Sequence, residues 1–409
     1  MISYWDFQKY GMQVTLRTPL YFANRGHTVT FLVHSETTAN PTPIDNLPPN
    51  LTVVRFDLPF KWLSRVPGMR RPRQFLLFLV YCVFYALRRC RGTATPDVIY
   101  AAEADAVLIG SLLRRLYRVP LVTRFYGVAR IAAYFDPESR AFRRFGLRHA
   151  LSRAAMKCKA DMIIITDDGT NGVEVMRAIN PSARNIKFWK NGVDGVHATS
   201  DAIAGLRRTL GLGPDDRVLL TLCRLDRMKK VDRAIRAIHH LERRGVKHVK
   251  LVVAGDGNER ADLERLAEEL GVRQSIQFAG KVSHECVYDY YALADVFLSL
   301  YDHSNVGNTL LEALNAGCCI VTLKTGGTGQ VITDGANGRL LEVNADEEAM
   351  AIRLADVVEE LLAHPERRSQ LAAGAKAYAR ENLWTWDDRL QTELDAITQL
   401  VQGDHLPSR

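Results

Sequence analysis

Two groups of residues in this chain have the types and spacing to hold a phosphorylated ligand. The first lies between Leu298 and Ile332: a strand end, a polar loop Asp302-His-Ser-Asn-Val-Gly-Asn308, a helix predicted from about Thr309 to Ala316, Gly317 as its stop, an apolar strand Cys318 to Leu323 and a Gly-rich turn. A helix that begins at Thr309 points unpaired backbone amides at whatever lies before it, which favours an anion such as a diphosphate. Gly307, Asn308 and Thr309 are therefore candidate phosphate ligands. Glu312, one turn on, offers a carboxylate to ribose hydroxyls, although an isolated glutamate there would also read as an exposed helix residue. The second group follows the predicted strand Arg217 to Cys223. A strand end aims Arg224 at the ligand crevice of a parallel sheet, and Lys229, just before the next helix, can reach the same phosphates. Taken alone, the two would be solvated surface cations.

The elements that must position these groups alternate strand and helix, the pattern of parallel sheets. Strands are predicted at Met1 to Trp5, Thr28 to His34, Asp97 to Tyr100, Leu121 to Gly127 and Met162 to Thr166, and then from Arg217 onward. A loop with Gly11 and a helix from about Met12 to Asn24 follow the opening strand. Five residues cannot match a seven-residue partner, so the expectation is that the chain begins inside its first strand. Leu251-Val-Val-Ala-Gly-Asp-Gly257 is a buried strand entering a glycine turn, but the third glycine of a dinucleotide fingerprint is absent, so no nicotinamide cofactor is expected.

With 409 residues and 47% hydrophobic content, two cored domains are affordable. The seven cysteines are scattered without metal-ligand spacing, which indicates reduced thiols and no structural metal. No signal peptide is recognisable and no apolar run reaches the length of a membrane span. Residues 1–195 carry 28 Lys+Arg against 14 Asp+Glu, and the remainder 26 against 32. A basic first half suits an anionic partner, but without a recognisable binding module nucleic acid is not expected. The apolar run Phe75 to Leu87 is bracketed by Arg70, Arg71, Arg73 and by Arg88, Arg89, Arg91. It reads either as a core helix with solvated arginines or as a segment docking on anionic lipid, so the chain is placed in the cytoplasm, with a peripheral membrane location in the second case.

The order of loop, Leu-Leu-Glu-Ala, small-Gly, apolar strand and Gly-Gly resembles the donor-site signature of retaining GT-B glycosyltransferases of the family-four, or group 1, type. Asn191-Gly-Val-Asp194 resembles the turn ending that family's first domain, and Arg224-Leu-x3-Lys229 its diphosphate grip. The resemblance implies two Rossmann-like domains with parallel sheets facing across a cleft. Their expected extents are residues 1–197 for the acceptor and 198–382 for the donor, with 383–409 crossing back. It implies transfer of a sugar from a nucleotide-diphosphate sugar to a saccharide or lipid-linked acceptor in cell-envelope or exopolysaccharide glycan synthesis, with no cofactor and no metal. Gly255, Lys281 and Val282 would meet the base; Gly11, Tyr126 and Gly127 would lie on the acceptor side. The family usually carries two glutamates at the donor loop, and here Ser304 stands at the first. Asp302, His303 and Ser304 are accordingly the candidate catalytic group, Asp302 bearing on rate and Ser304 on sugar choice. A catalytically silent nucleotide-sugar-binding subunit, an epimerase of the same architecture and a membrane scaffold are the competing expectations.

Overall fold

A computed structural model describes residues 1–4, 15–35, 47–57, 70–132, 134–136, 141–142, 149–195 and 198–403. The chain forms two compact units. The first comprises Met1–Asp167, Asn171–Trp189 and Asp387–Arg409, the second Asp168–Thr170 and Lys190–Trp386.

In the first unit, β1 (Ile2–Ser3), β2 (Val29–Ser35), β3 (Leu51–Asp57), β4 (Ile99–Ala102), β5 (Leu121–Phe125), β8 (Met162–Thr166) and β9 (Ile186–Trp189) form one sheet. The short pair β6 (Phe135–Asp136) and β7 (Ala141–Phe142) stands apart from it as a small antiparallel ribbon. The sheet order is β3-β2-β1-β4-β5-β8-β9, every neighbour parallel. Runs such as Met162-Ile-Ile-Ile-Thr are buried at every position because helices cover both faces. The opening strand has two residues, yet it is central, Ile2 lying between Leu32 of β2 and Ala101 of β4. The predicted Gly11 loop and the start of the Met12 helix lie outside the described residues; the helix is seen as Arg17–Asn24.

The apolar run after Arg70 is a helix, Arg70–Arg89, with two unlike faces. Phe78, Cys82 and Ala86 are buried in the core, whereas Leu76, Val80 and Phe84, displaced around the helix, are 56%, 58% and 57% exposed. Among the described residues no helix is long and apolar enough to cross a membrane.

The last helix, Trp386–Gly403, joins the first unit from Asp387 onward. Leu394 and Ile397 pack against Phe31, Val122 and Ile164. Beside them Glu393 accepts from Arg124 (2.5 Å), Arg389 (2.7 Å) and the Tyr100 hydroxyl (2.7 Å), all within the interior.

In the second unit, β10 (Arg217–Leu222), β11 (Val249–Ala254), β12 (Ile276–Gly280), β13 (Val296–Ser299), β14 (Ile320–Leu323) and β15 (Arg339–Leu341) are parallel in the order β12-β11-β10-β13-β14-β15. Numbered from its own first strand, this sheet reads 3-2-1-4-5-6, the dinucleotide-fold order, and the first six strands of the other sheet read the same. Chain direction across the second sheet reverses between β10 and β13. The loops leaving those two strands therefore diverge and leave a crevice at their carboxyl ends.

Candidate donor site

The two groups singled out by spacing flank that switch point. Arg224 and Lys229 follow β10; the Asp302–Asn308 loop follows β13. Gly307 caps the helix Asn308–Ala316 in extended backbone and makes no side-chain cap bond, which leaves the first amides of the helix without an intrahelical partner. Gly317 closes it in the left-handed conformation.

Lys229 reaches the helix start through one aromatic ring. Its ammonium lies 3.6 Å from the centre of Tyr301, and the Tyr301 hydroxyl is 3.2 Å from Thr309 Oγ1. Burial holds the Lys229 pKa below the usual lysine value. A partly desolvated cation gains more from an incoming anion than one already in water. Arg224 is less committed: its side chain is 61% exposed and chelates Asp226 through Nε (3.0 Å) and Nη2 (2.7 Å).

Glu312 is not an exposed helix glutamate. It is buried and accepts from the Tyr291 hydroxyl at 3.1 Å, a hydroxyl that also donates to the Thr309 carbonyl at 3.0 Å. Asn308 Oδ1 accepts from Asn191 at 2.8 Å, which ties the Asn-Gly-Val-Asp turn to the helix start.

The loop itself is pinned by Asn305, which sequence reasoning passed over. Fully buried, Asn305 accepts from Ser299 Oγ and the Tyr301 amide, both at 3.0 Å, and donates to Thr325 Oγ1 at 2.8 Å. Its own amide donates to Thr328 Oγ1 at 3.0 Å. Ser304 is turned into its loop, its Oγ accepting the Val306 amide at 3.2 Å. Gly326, at φ +50°, lies so close that an added Cβ would sit 2.8 Å from Ser304 Cβ.

The Asp302 carboxylate, still 39% exposed, pairs with Arg233 at 2.8 Å and Lys230 at 3.5 Å. His303 is exposed. Gly255 has a packing reason to be glycine: at φ +139°, a Cβ would fall 1.8 Å from the Cys223 carbonyl. Together with the Asp256 carbonyl, which accepts the Leu225 amide at 3.0 Å, it shapes the backbone that presents Arg224. Lys281 and Val282 follow β12 at its carboxyl end, Lys281 exposed.

In the first unit, Tyr126 and Gly127 follow β5, and the Tyr126 amide donates to Glu103 Oε1 at 2.8 Å. Among the described residues no cluster of His, Cys, Asp and Glu has metal-holding geometry.

The chain is similar to known glycosyltransferases. A model described as glycosyl transferases group 1 matches residues 204–378, and a glycosyl transferase 4-like domain matches residues 13–168. D-inositol 3-phosphate glycosyltransferase of Xylanimonas cellulosilytica is 26% identical over 410 residues, 96% of this chain and 92% of that one. The GDP-mannose-dependent alpha-(1-6)-phosphatidylinositol monomannoside mannosyltransferase of Mycolicibacterium smegmatis is 29% identical over 301 residues, 71% of this chain and 73% of that one. In fold, the sucrose-phosphate synthase of Thermosynechococcus elongatus matches with a TM-score of 0.77 at 18% identity, covering 98% of both chains. With a glycosyl transferase model matching within each unit and glycosyltransferase relatives along its length, the chain is a glycosyltransferase of the GT-B fold that uses a nucleotide-sugar donor, similar over residues 204–378 to the group 1 glycosyl transferases.

Proposed function

We propose that this enzyme transfers a hexosyl unit, with retention of anomeric configuration, to a saccharide or lipid-linked acceptor in cell-envelope or exopolysaccharide synthesis. The observation that carries the reading is the contact chain Lys229–Tyr301–Thr309, which joins a half-buried cation to a helix start across the switch point. Breaking the anomeric C–O bond places charge on the leaving diphosphate. Lys229, Arg224 and the amides of Gly307, Asn308 and Thr309 stabilise that charge as it develops, a task done without a metal ion. Glu312 receives the ribose hydroxyls, and Gly255, Lys281 and Val282 border the base. On the sugar side, Ser304 and His303 offer hydrogen-bonding groups, and the departing phosphate takes the acceptor proton on the same face. Tyr126, Gly127 and Gly11 belong to the acceptor side. Both relatives act on inositol-containing acceptors by name, which favours a polyol or lipid-linked glycan.

The same reading places the first unit on the cytoplasmic face of a membrane. The exposed stripe Leu76, Val80 and Phe84 ends at exposed Arg88, Arg89 and Arg91, an apolar face beside positive charge that suits anionic lipid.

Proton NMR of the anomeric signal during turnover, across a panel of UDP, GDP, ADP and dTDP sugars, tests the mechanism. Retention is expected for the accepted donor. Inversion would overturn the retaining assignment, and absence of transfer with every donor and with lipid, sugar and phosphosugar acceptors would favour a silent binding subunit.

A further inference from the structure

A neutral cluster of two cations and two carboxylates ties together the segments that the donor reading depends on. Arg233, near the start of the helix Val231–Arg243, is 2% exposed. Its Nε and Nη2 donate to the two oxygens of Glu347 at 2.7 and 3.0 Å, and its Nη1 to the Leu300 carbonyl at 3.0 Å. Nη2 also meets Asp302 Oδ1 at 2.8 Å. Lys230, in the left-handed region at φ +50°, adds contacts to Glu347 (2.8 Å) and Asp302 (3.5 Å). Glu347 is the first residue of the helix Glu347–Ala363, where the helix dipole also favours a carboxylate. Hydrogen bonds from Arg233, working against burial and aided by Lys230, bring its pKa down to about 2.

The points of attachment are what give the cluster a functional meaning. Lys230 is the neighbour of Lys229. Asp302 is the neighbour of Tyr301, whose ring carries the Lys229 ammonium. A planar guanidinium that bonds a carbonyl at the end of β13 and two carboxylates at once holds all three segments in one geometry. We propose that Arg233 and Glu347 are positioning residues for the transfer reaction, setting the Lys229 turn and the Asp302–Asn308 loop so that both meet the donor diphosphate. This rests on the donor site described above. Glu347, from a helix with no residue of its own in that site, governs how the site is assembled.

Steady-state kinetics on the full chain, with thermal melting of each variant, test the assignment. Glu347→Gln should raise the donor KM about tenfold, as a displaced positioning group does, and leave the acceptor KM unchanged. Glu347→Asp should recover part of the loss. Combined with Asp302→Asn, Glu347→Gln should add little, because both act through the same contact. If Glu347→Gln fails to fold, Lys230→Ala, which removes only the more exposed cation, should show the same selective rise. A lower melting temperature with unchanged donor KM, or multiplicative effects in the double variant, would reduce the cluster to a fold contact. Lys229→Ala separates the two levels. If it leaves donor KM unchanged, the donor site itself is misplaced; if it raises donor KM and Glu347→Gln does not, the positioning role alone is wrong.

Discussion

Lys229 rests its ammonium on the face of Tyr301, 3.6 Å from the ring centre, and through that ring the loops after β10 and β13 become one site. A cation over an aromatic face is attracted by about 0.5–2 kcal/mol, more as water is excluded. The contact stores the lysine in a partly dry position without neutralising it, which keeps its charge available to a diphosphate.

The pH dependence of donor use should show this. Burial favours the neutral amine, so Lys229 loses its proton below the usual 10.5 as pH rises. In free enzyme the alkaline limb of kcat/KM for the donor should therefore fall at a pH below 10.5, and Lys229→Arg should move that limb upward. An alkaline limb that does not respond to Lys229→Arg would assign the titration to another group.

Asn305 carries the loop. Replacing it with Ala strands the Ser299 hydroxyl and the Tyr301 amide in the interior, at about 1–3 kcal/mol for each buried group left unpaired. Denaturant unfolding should show a loss of at least about 2 kcal/mol, together with weaker donor binding. A stable Asn305→Ala with normal donor KM would mean that the loop holds its shape without this residue.

Much of this was legible in the sequence, and the remainder has a physical reason. Strand and helix alternation exposed both parallel sheets, and Arg224, Lys229 and the loop before Leu310 were visible because a doubly wound sheet binds ligands where its strands end. Asn305 could not be seen: a buried polar side chain making four hydrogen bonds looks, in a row of letters, like any loop asparagine. The partner of Asp302 could not be seen either, since Arg233 is 69 positions away. Gly255 has a packing reason to be glycine that no row of letters shows, its backbone conformation and the nearby Cys223 carbonyl. Arg389 and Glu393, in the last helix, are fully buried against the first unit.

That buried group gives a stability prediction. Burial opposes ionisation of Glu393, but Arg124 and Arg389 outweigh it and hold its pKa below the usual 4.5. A depressed carboxylate stabilises the fold in full above the unfolded-state value, so this contribution should begin to decline beneath about pH 4.5 and be lost as pH falls through the lower folded-state value. Glu393→Gln removes the carboxylate charge to which both buried arginines donate and should cost about 3–5 kcal/mol at neutral pH. Calorimetric melting across pH checks both; a variant as stable as wild type would show that the arginines find other partners.

Membrane docking should depend on the exposed face of the helix Arg70–Arg89. Val80→Glu and Phe84→Glu place charge on that face without touching Phe78, Cys82 or Ala86. Wild type should co-sediment with anionic but not zwitterionic vesicles, less so as salt rises, and both variants should remain in the supernatant. Equal behaviour toward the two vesicle types would remove the lipid surface from the account.

The donor grip is the central claim, and calorimetric titration of UDP and GDP into wild type and Lys229→Ala tests it most directly. Wild type should bind one of the two nucleotides, and Lys229→Ala should weaken that binding about 30-fold or more, equivalent to about 2 kcal/mol for a preorganised cation on a diphosphate. An unchanged dissociation constant in a folded Lys229→Ala would contradict the account, because no diphosphate held between β10 and β13 could then be resting on Lys229.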